Sequence, residues 1–157
     1  MTRKQAGLAV LAAVLAVIGA AGPAWASLTL TMTQQGNDVV VSGGGTANLG
    51  GLASSGYGGQ GAVMSPSLAD VIVGTPSGAN QIDIYGNLTG PTSFGPGGGL
   101  AASSGSGDTF GILNFEPPLE LVVPSGYVSG ASLSATSTFA NQTFASLGVT
   151  PGTYVWT

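Results

Sequence analysis

The side chains in this 157-residue chain that could do chemistry are almost all carboxylic acids. Asp38, Asp70, Asp83, Asp108, Glu116 and Glu120 are the only acids, histidine and cysteine are absent, and the only basic residues are Arg3 and Lys4. Nucleophilic catalysis of the Ser/His/Asp or Cys/His kind therefore lacks its base or its thiol. A phosphate-cradling P-loop lacks its lysine, and zinc, copper or iron sites lack imidazole and thiolate ligands. Two carboxylate chemistries survive. A glycosidase needs two facing acids, for which Glu116 and Glu120 are the candidates, but Pro117-Pro118 between them prevents a helix from setting both on one face. Calcium takes oxygen ligands alone. Asp38 beside Asn37, and Asp108 after Gly105-Ser106-Gly107, sit in turn-forming stretches that suit it, although Asp and Asn also occupy turns for local hydrogen bonding and no EF-hand spacing is present. Tyr57, Tyr85 and Tyr127 offer a third, non-catalytic chemistry, the stacking of sugar rings. The reading is a protein without enzymatic activity, with no cofactor other than a candidate calcium ion.

Residues 1–26 have the three parts of a helical signal peptide. Arg3 and Lys4 make a basic start, Ala6 to Ala21 is an apolar run of 16 residues, and Pro23 precedes the A-x-A signal Ala24-Trp25-Ala26. Cleavage is expected between Ala26 and Ser27. The run is short of the roughly 20 residues that a membrane-spanning helix wants. Without cysteine there is no lipid attachment of the lipoprotein kind. Export to the cell surface or the extracellular space follows.

Removal of the leader leaves residues 27–157 with six acids and no cation, which moves the side-chain net charge from −4 to −6. Nucleic acid is excluded as a partner, because neutralising phosphates takes lysine or arginine. An anionic membrane surface repels such a chain for the same reason.

The elements that must position these residues are short strands. Leu28 to Thr33 alternates apolar and polar residues, Gln35 to Asp38 is a turn, and Val39-Val40-Val41 starts a return strand that Gly43-Gly44-Gly45 should bend or bulge before Thr46 to Leu52 continues it. Ser54 to Ser67 reads as a Gly/Ser loop. Val71–Val73 and Gln81–Tyr85 are strands around a Thr75–Gly78 turn, and Asn87 to Gly99 is loop. Then come Leu100–Ser103, a Gly-Ser-Gly-Asp turn, Phe110–Phe115, Leu119–Val123, Leu133–Phe139, a helical turn over Thr143–Leu147, and a final strand from Thr153. Leu147, Pro151-Gly152 and Tyr154 have the order of a tyrosine corner, with Tyr154 and Trp156 on one face and in the core. Asn87-Leu88-Thr89 and Asn141-Gln142-Thr143 match glycosylation sequons, but so Ser/Thr-rich a chain meets that pattern by chance. Many short strands with regular turns predict an all-β fold over 27–157, one antiparallel sandwich of the immunoglobulin-like or jelly-roll-like kind.

Several stretches resemble a group of secreted bacterial proteins that end in a PEP-CTERM sorting signal. They are Thr89-Gly-Pro-Thr-Ser-Phe-Gly95, Ser103-Ser-Gly-Ser-Gly-Asp108, Pro124-Ser-Gly-Tyr-Val-Ser-Gly130, and Thr143 to Trp156, and the opening hairpin is similar too. The resemblance implies export and C-terminal processing in bacteria that make exopolysaccharide. The group's Val-Pro-Glu-Pro segment, terminal hydrophobic helix and basic tail do not follow Trp156-Thr157, so the expectation is a C-terminally incomplete domain with no stable membrane anchor in this form. Two function classes stay open. One is a structural or adhesive protein of the envelope or matrix, touching polysaccharide, other envelope proteins or its own copies through the final strand. The other is a carbohydrate-binding module or a carboxylate-dependent glycoside-active enzyme.

Overall fold

Alternation along the strands decides the architecture, because each strand buries every second residue. The computed structural model describes residues 12–19, 27–114 and 119–157. Its strands are β1 (Ala12–Gly19), β2 (Ser27–Gln35), β3 (Asp38–Thr46), β4 (Ala53–Gly59), β5 (Val63–Ser65), β6 (Asp70–Val73), β7 (Gln81–Leu88), β8 (Leu100–Ala101), β9 (Ser104–Gly107), β10 (Phe110–Leu113), β11 (Leu119–Pro124), β12 (Ser132–Phe139) and β13 (Tyr154–Trp156). A 3-10 turn spans Pro66–Leu68, and one helical turn, α1, spans Phe144–Leu147. The strands form two sheets, one ordered β13-β1-β2-β3-β12-β9 and the other β4-β7-β11-β10-β6-β5-β8. Every pairing is antiparallel except β1 with β13. The protein is an all-β sandwich.

Leu28, Leu30, Met32, Val39, Val41, Leu133, Ala135 and Phe139 face inward from the six-stranded sheet. They meet Met64, Val71, Val73, Phe110, Ile112, Leu121 and Val123 of the other. Each of these side chains apart from Ala135, fully buried, contributes roughly 1.5–3 kcal/mol. Ser137 ties the sheets across this core, its Oγ accepting from Gly74 N at 3.0 Å and donating to Gly74 O at 2.9 Å. Two glycines fix how closely layers and strands approach. A Cβ on Gly43 would stand 2.5 Å from Leu30 Cδ2 and 2.8 Å from Phe110 Cζ, so the opposite sheet packs onto bare backbone. Gly111 has φ +155°, and a Cβ there would stand 1.9 Å from Val71 O. Its two ladder partners, Ile72 and Val122, belong to a second apolar cluster on the outer side of the seven-stranded sheet.

Four expectations need correction here. The Gly43-Gly44-Gly45 stretch makes no bulge: β3 keeps unbroken register with both β2 and β12 through it, and the strand ends at Thr46. The Ser54–Ser67 stretch is not a loop but contains β4 and β5, and the Gly-Ser-Gly stretch before Asp108 is β9, paired to β12. Glycine and serine there are strand residues because the neighbouring strand supplies the ladder, which needs only backbone. Finally, Ala12–Gly19 is a strand where the leader was expected to be helical. That stretch contains Val14, Val17 and Ile18, which favour strands, and it lies between two backbone edges, β2 and β13, that a helix would leave unpaired. Arg3, Lys4, Ala24 and Ala26 lie outside the described residues. Among those described, no helix is long and apolar enough to cross a membrane.

Candidate functional site

The aspartates are built into the fold as acceptors for backbone donors. Asp38, at the start of β3, accepts from Asn141 N at 2.8 Å. Asp108, just after β9, accepts from Ser134 N at 2.9 Å, while its own N donates to Ser134 O at 2.9 Å. The two calcium candidates thus sit toward opposite ends of β12, roughly 20 Å apart at strand rise, and the structure does not bring them together. Asp83 accepts from Ser125 Oγ at 3.1 Å and Gly126 N at 2.8 Å, fastening the turn after β11 rather than pointing free into solvent. Asp70 is buried and accepts from Asn114 N at 2.6 Å. Burial pushes its carboxyl above the usual carboxylate range, and the Asn114 bond draws it part of the way back. Glu120 lies half-buried on β11 opposite Leu113. Glu116 lies outside the described residues, so the glycosidase pair does too. Among the described residues no three acids gather where a metal ion could be held.

The tyrosines divide in the same way. Tyr127 OH donates to Ala131 O and accepts from Ala47 N at 3.0 Å, which makes it a fastener of the turn before β12. Tyr85 packs against the core. Tyr154 realises the corner, its OH donating to Thr150 O at 2.9 Å, and its ring lies 5.9 Å from Phe94 and 6.4 Å from Trp156. Only Tyr57, on edge strand β4, is left open as a stacking surface, at 85% exposure. Asn87 and Asn141, the sequon asparagines, both have positive φ, the turn conformation asparagine tolerates.

What the residue-by-residue reading missed is a surface. The polar halves of the alternating strands all face outward from the six-stranded sheet, and their registers align them. Thr31 of β2 stands opposite Ser42 of β3, Ser42 opposite Thr136 of β12, and Thr136 opposite Ser106 of β9. One rank away, Thr33, Val40, Thr138 and Ser104 make a second row, and Thr29, Gly44 and Ser134 a third. Side-chain positions therefore recur at about 4.8 Å across strands and about 6.7 Å along them, and all of them but Val40 and Gly44 bear a hydroxyl. These side chains are exposed or half-buried, and none in the three rows is charged. The signal was visible as Thr-x-Thr-x-Thr over residues 29–33 and Ser-x-Thr-x-Thr over 134–138, but only strand register shows that the two runs share one face. No family model, curated protein or solved structure matches the chain.

Proposed function

We propose that this is a non-catalytic protein of the cell envelope or extracellular matrix, exported with cleavage between Ala26 and Ser27, that holds a neutral polysaccharide against the hydroxyl face of its six-stranded sheet. The observation that carries this reading is the uncharged, in-register array centred on Ser42 and Thr136. A polysaccharide presents hydroxyls at similar intervals, and paired hydroxyls exchange hydrogen bonds worth about 0.5–1.5 kcal/mol each. The acids point the same way: four of them accept hydrogen bonds that fasten the fold. With no lysine or arginine after Lys4, an anionic glycan has no counter-charge to meet.

The test is retardation of the protein in gels containing a neutral glucan or a polyuronate. Retardation by the glucan alone is expected, and at least tenfold weaker retardation for Ser42→Glu/Thr136→Glu. Equal mobility of parent and variant in the glucan gel would refute the reading. A second reading, a module that stacks sugar on an aromatic ring, draws on the 85% exposure of Tyr57. Tyr57→Ala in the same gels separates the two, since it leaves the hydroxyl face untouched. N-terminal sequencing of exported material should read Ser27 first.

A further inference from the structure

The position of β1 in its sheet has a meaning beyond polysaccharide contact. Among the described residues, no other strand joins β2 to β13. β1 runs antiparallel to β2, from Ala12 opposite Thr33 to Gly19 opposite Ser27, and parallel to β13, with Leu15 opposite Tyr154 and Ile18 opposite Trp156. Both ladders shift at the same place, between Leu15 and Val17. One strand therefore serves two walls at once, and it is the strand that lies within the expected leader.

The walls do not depend on β1 for their places. β2 is paired to β3 from Leu28 to Gln35, and Leu28, Leu30 and Met32 are buried in the core. β13 is pinned from its other side. Thr89 and Thr157 exchange backbone bonds of 2.7 and 2.8 Å, Trp156 is fully buried, and its Nε1 donates to Pro91 O at 2.8 Å. Taking β1 out leaves two edges about two strand spacings, roughly 9.6 Å, apart. That gap admits one strand and is too wide for the edges to bond each other. Unpaired edges of this kind, without charge or proline, template a further strand, and neither β2 nor β13 contains an acidic or basic side chain or a proline.

We infer that the space between β2 and β13 is a strand-accepting cleft which, once the leader is gone, takes an uncharged, β-branched-rich strand of a partner polypeptide. The occupant's chemistry is that of the segment seated there, Ala-Ala-Val-Leu-Ala-Val-Ile-Gly. It must run antiparallel to one wall and parallel to the other. Edge-to-edge pairing of two copies about a two-fold axis would serve one wall and leave the second open, so an inserted strand fits better than a simple dimer. The biological occupant rests on the reading that the leader is removed; the cleft itself does not.

The full chain bearing Ala24→Arg, made without export, tests this. Trypsin can cut it only after Arg3, Lys4 and the introduced arginine, because no other lysine or arginine exists. The freed segment 5–24 is expected to stay with the body through gel filtration. A labelled synthetic peptide of residues 12–19 should then exchange into the body and raise its melting temperature. The same peptide with Val14→Pro, which lacks one ladder N–H, should bind at least tenfold more weakly. If the body unfolds on losing its segment, rescue by the parent peptide but not by the proline peptide supports the cleft, and equal rescue by both or by neither overturns it. Immediate loss of the segment from a monomer that melts cooperatively and ignores the peptide overturns it as well. A dimer that the peptide cannot dissociate assigns the cleft to a second copy and overturns the partner strand. None of these readouts involves polysaccharide, so failure here leaves the glycan reading standing.

Discussion

Asp70 and Ser137 are polar residues buried for opposite reasons. Ser137 satisfies both backbone groups of Gly74, so Ser137→Ala strands a buried donor and acceptor. The loss should be about 1–3 kcal/mol in urea unfolding, with little change in the unfolding slope. For Asp70 the neutral acid is favoured in the folded chain, so the folded protein holds this proton at pH values where the unfolded chain has released it. Its contribution to stability is therefore fullest below the ordinary carboxylate pKa and declines as pH rises through the raised one. Asp70→Asn keeps an acceptor for Asn114 N and removes the charge, so it should flatten that acid-side decline and leave stability at pH 7 equal or higher. Asp70→Ala abandons the Asn114 N–H and should cost about 1–3 kcal/mol at any pH. Unfolding curves at pH 4 and pH 7 for the two variants check both signs. Neither residue stood out in the sequence, since a lone Ser or Asp in a Ser- and Asp-bearing chain has no local mark of burial.

At the scale of elements, legibility followed the source of each strand's stability. β2, β6, β11 and β12 alternate apolar and polar residues or bear β-branched runs and were read close to their observed bounds, whereas β7, read as ending at Tyr85, runs on to Leu88. β4 and β9 are mostly glycine and serine, so their order comes from β7 and β12 beside them, and the sequence reads as loop. The hydroxyl face was illegible for a related reason, because it exists only once four strands fall into register. The corner before β13 was legible, since Pro151-Gly152-Thr153-Tyr154 is a local device. It also makes a graded prediction. Tyr154→Phe gives up the bond to Thr150 O and should cost about 0.5–1.5 kcal/mol. Trp156→Ala empties a fully buried site beside Tyr154 and should cost about 3–5 kcal/mol. The ordering of the two losses by calorimetry matters more than either value.

For the molecule as a whole, charge gives the simplest prediction. Residues 27–157 have six acids and no side-chain cation, so no ion pair between side chains stands to be screened, only repulsion. Sodium chloride from low to about physiological strength should raise the melting temperature at pH 7; a fall would show that a bound cation or a missed attraction governs stability. The order of the sheets, finally, bears on time. The hairpin of β2 and β3 is made early in the chain, yet its second neighbour is β12, and Asp38 waits for Asn141, 103 residues on. The whole seven-stranded sheet, together with β9 of the other, is encoded between β3 and β12. Closing so long a loop before any contact rewards it is slow, so refolding from urea should take milliseconds to seconds rather than microseconds. During synthesis the hairpin must stand with one edge bare until the last fifth of the chain emerges, and a chain in that condition is still threadable through a pore.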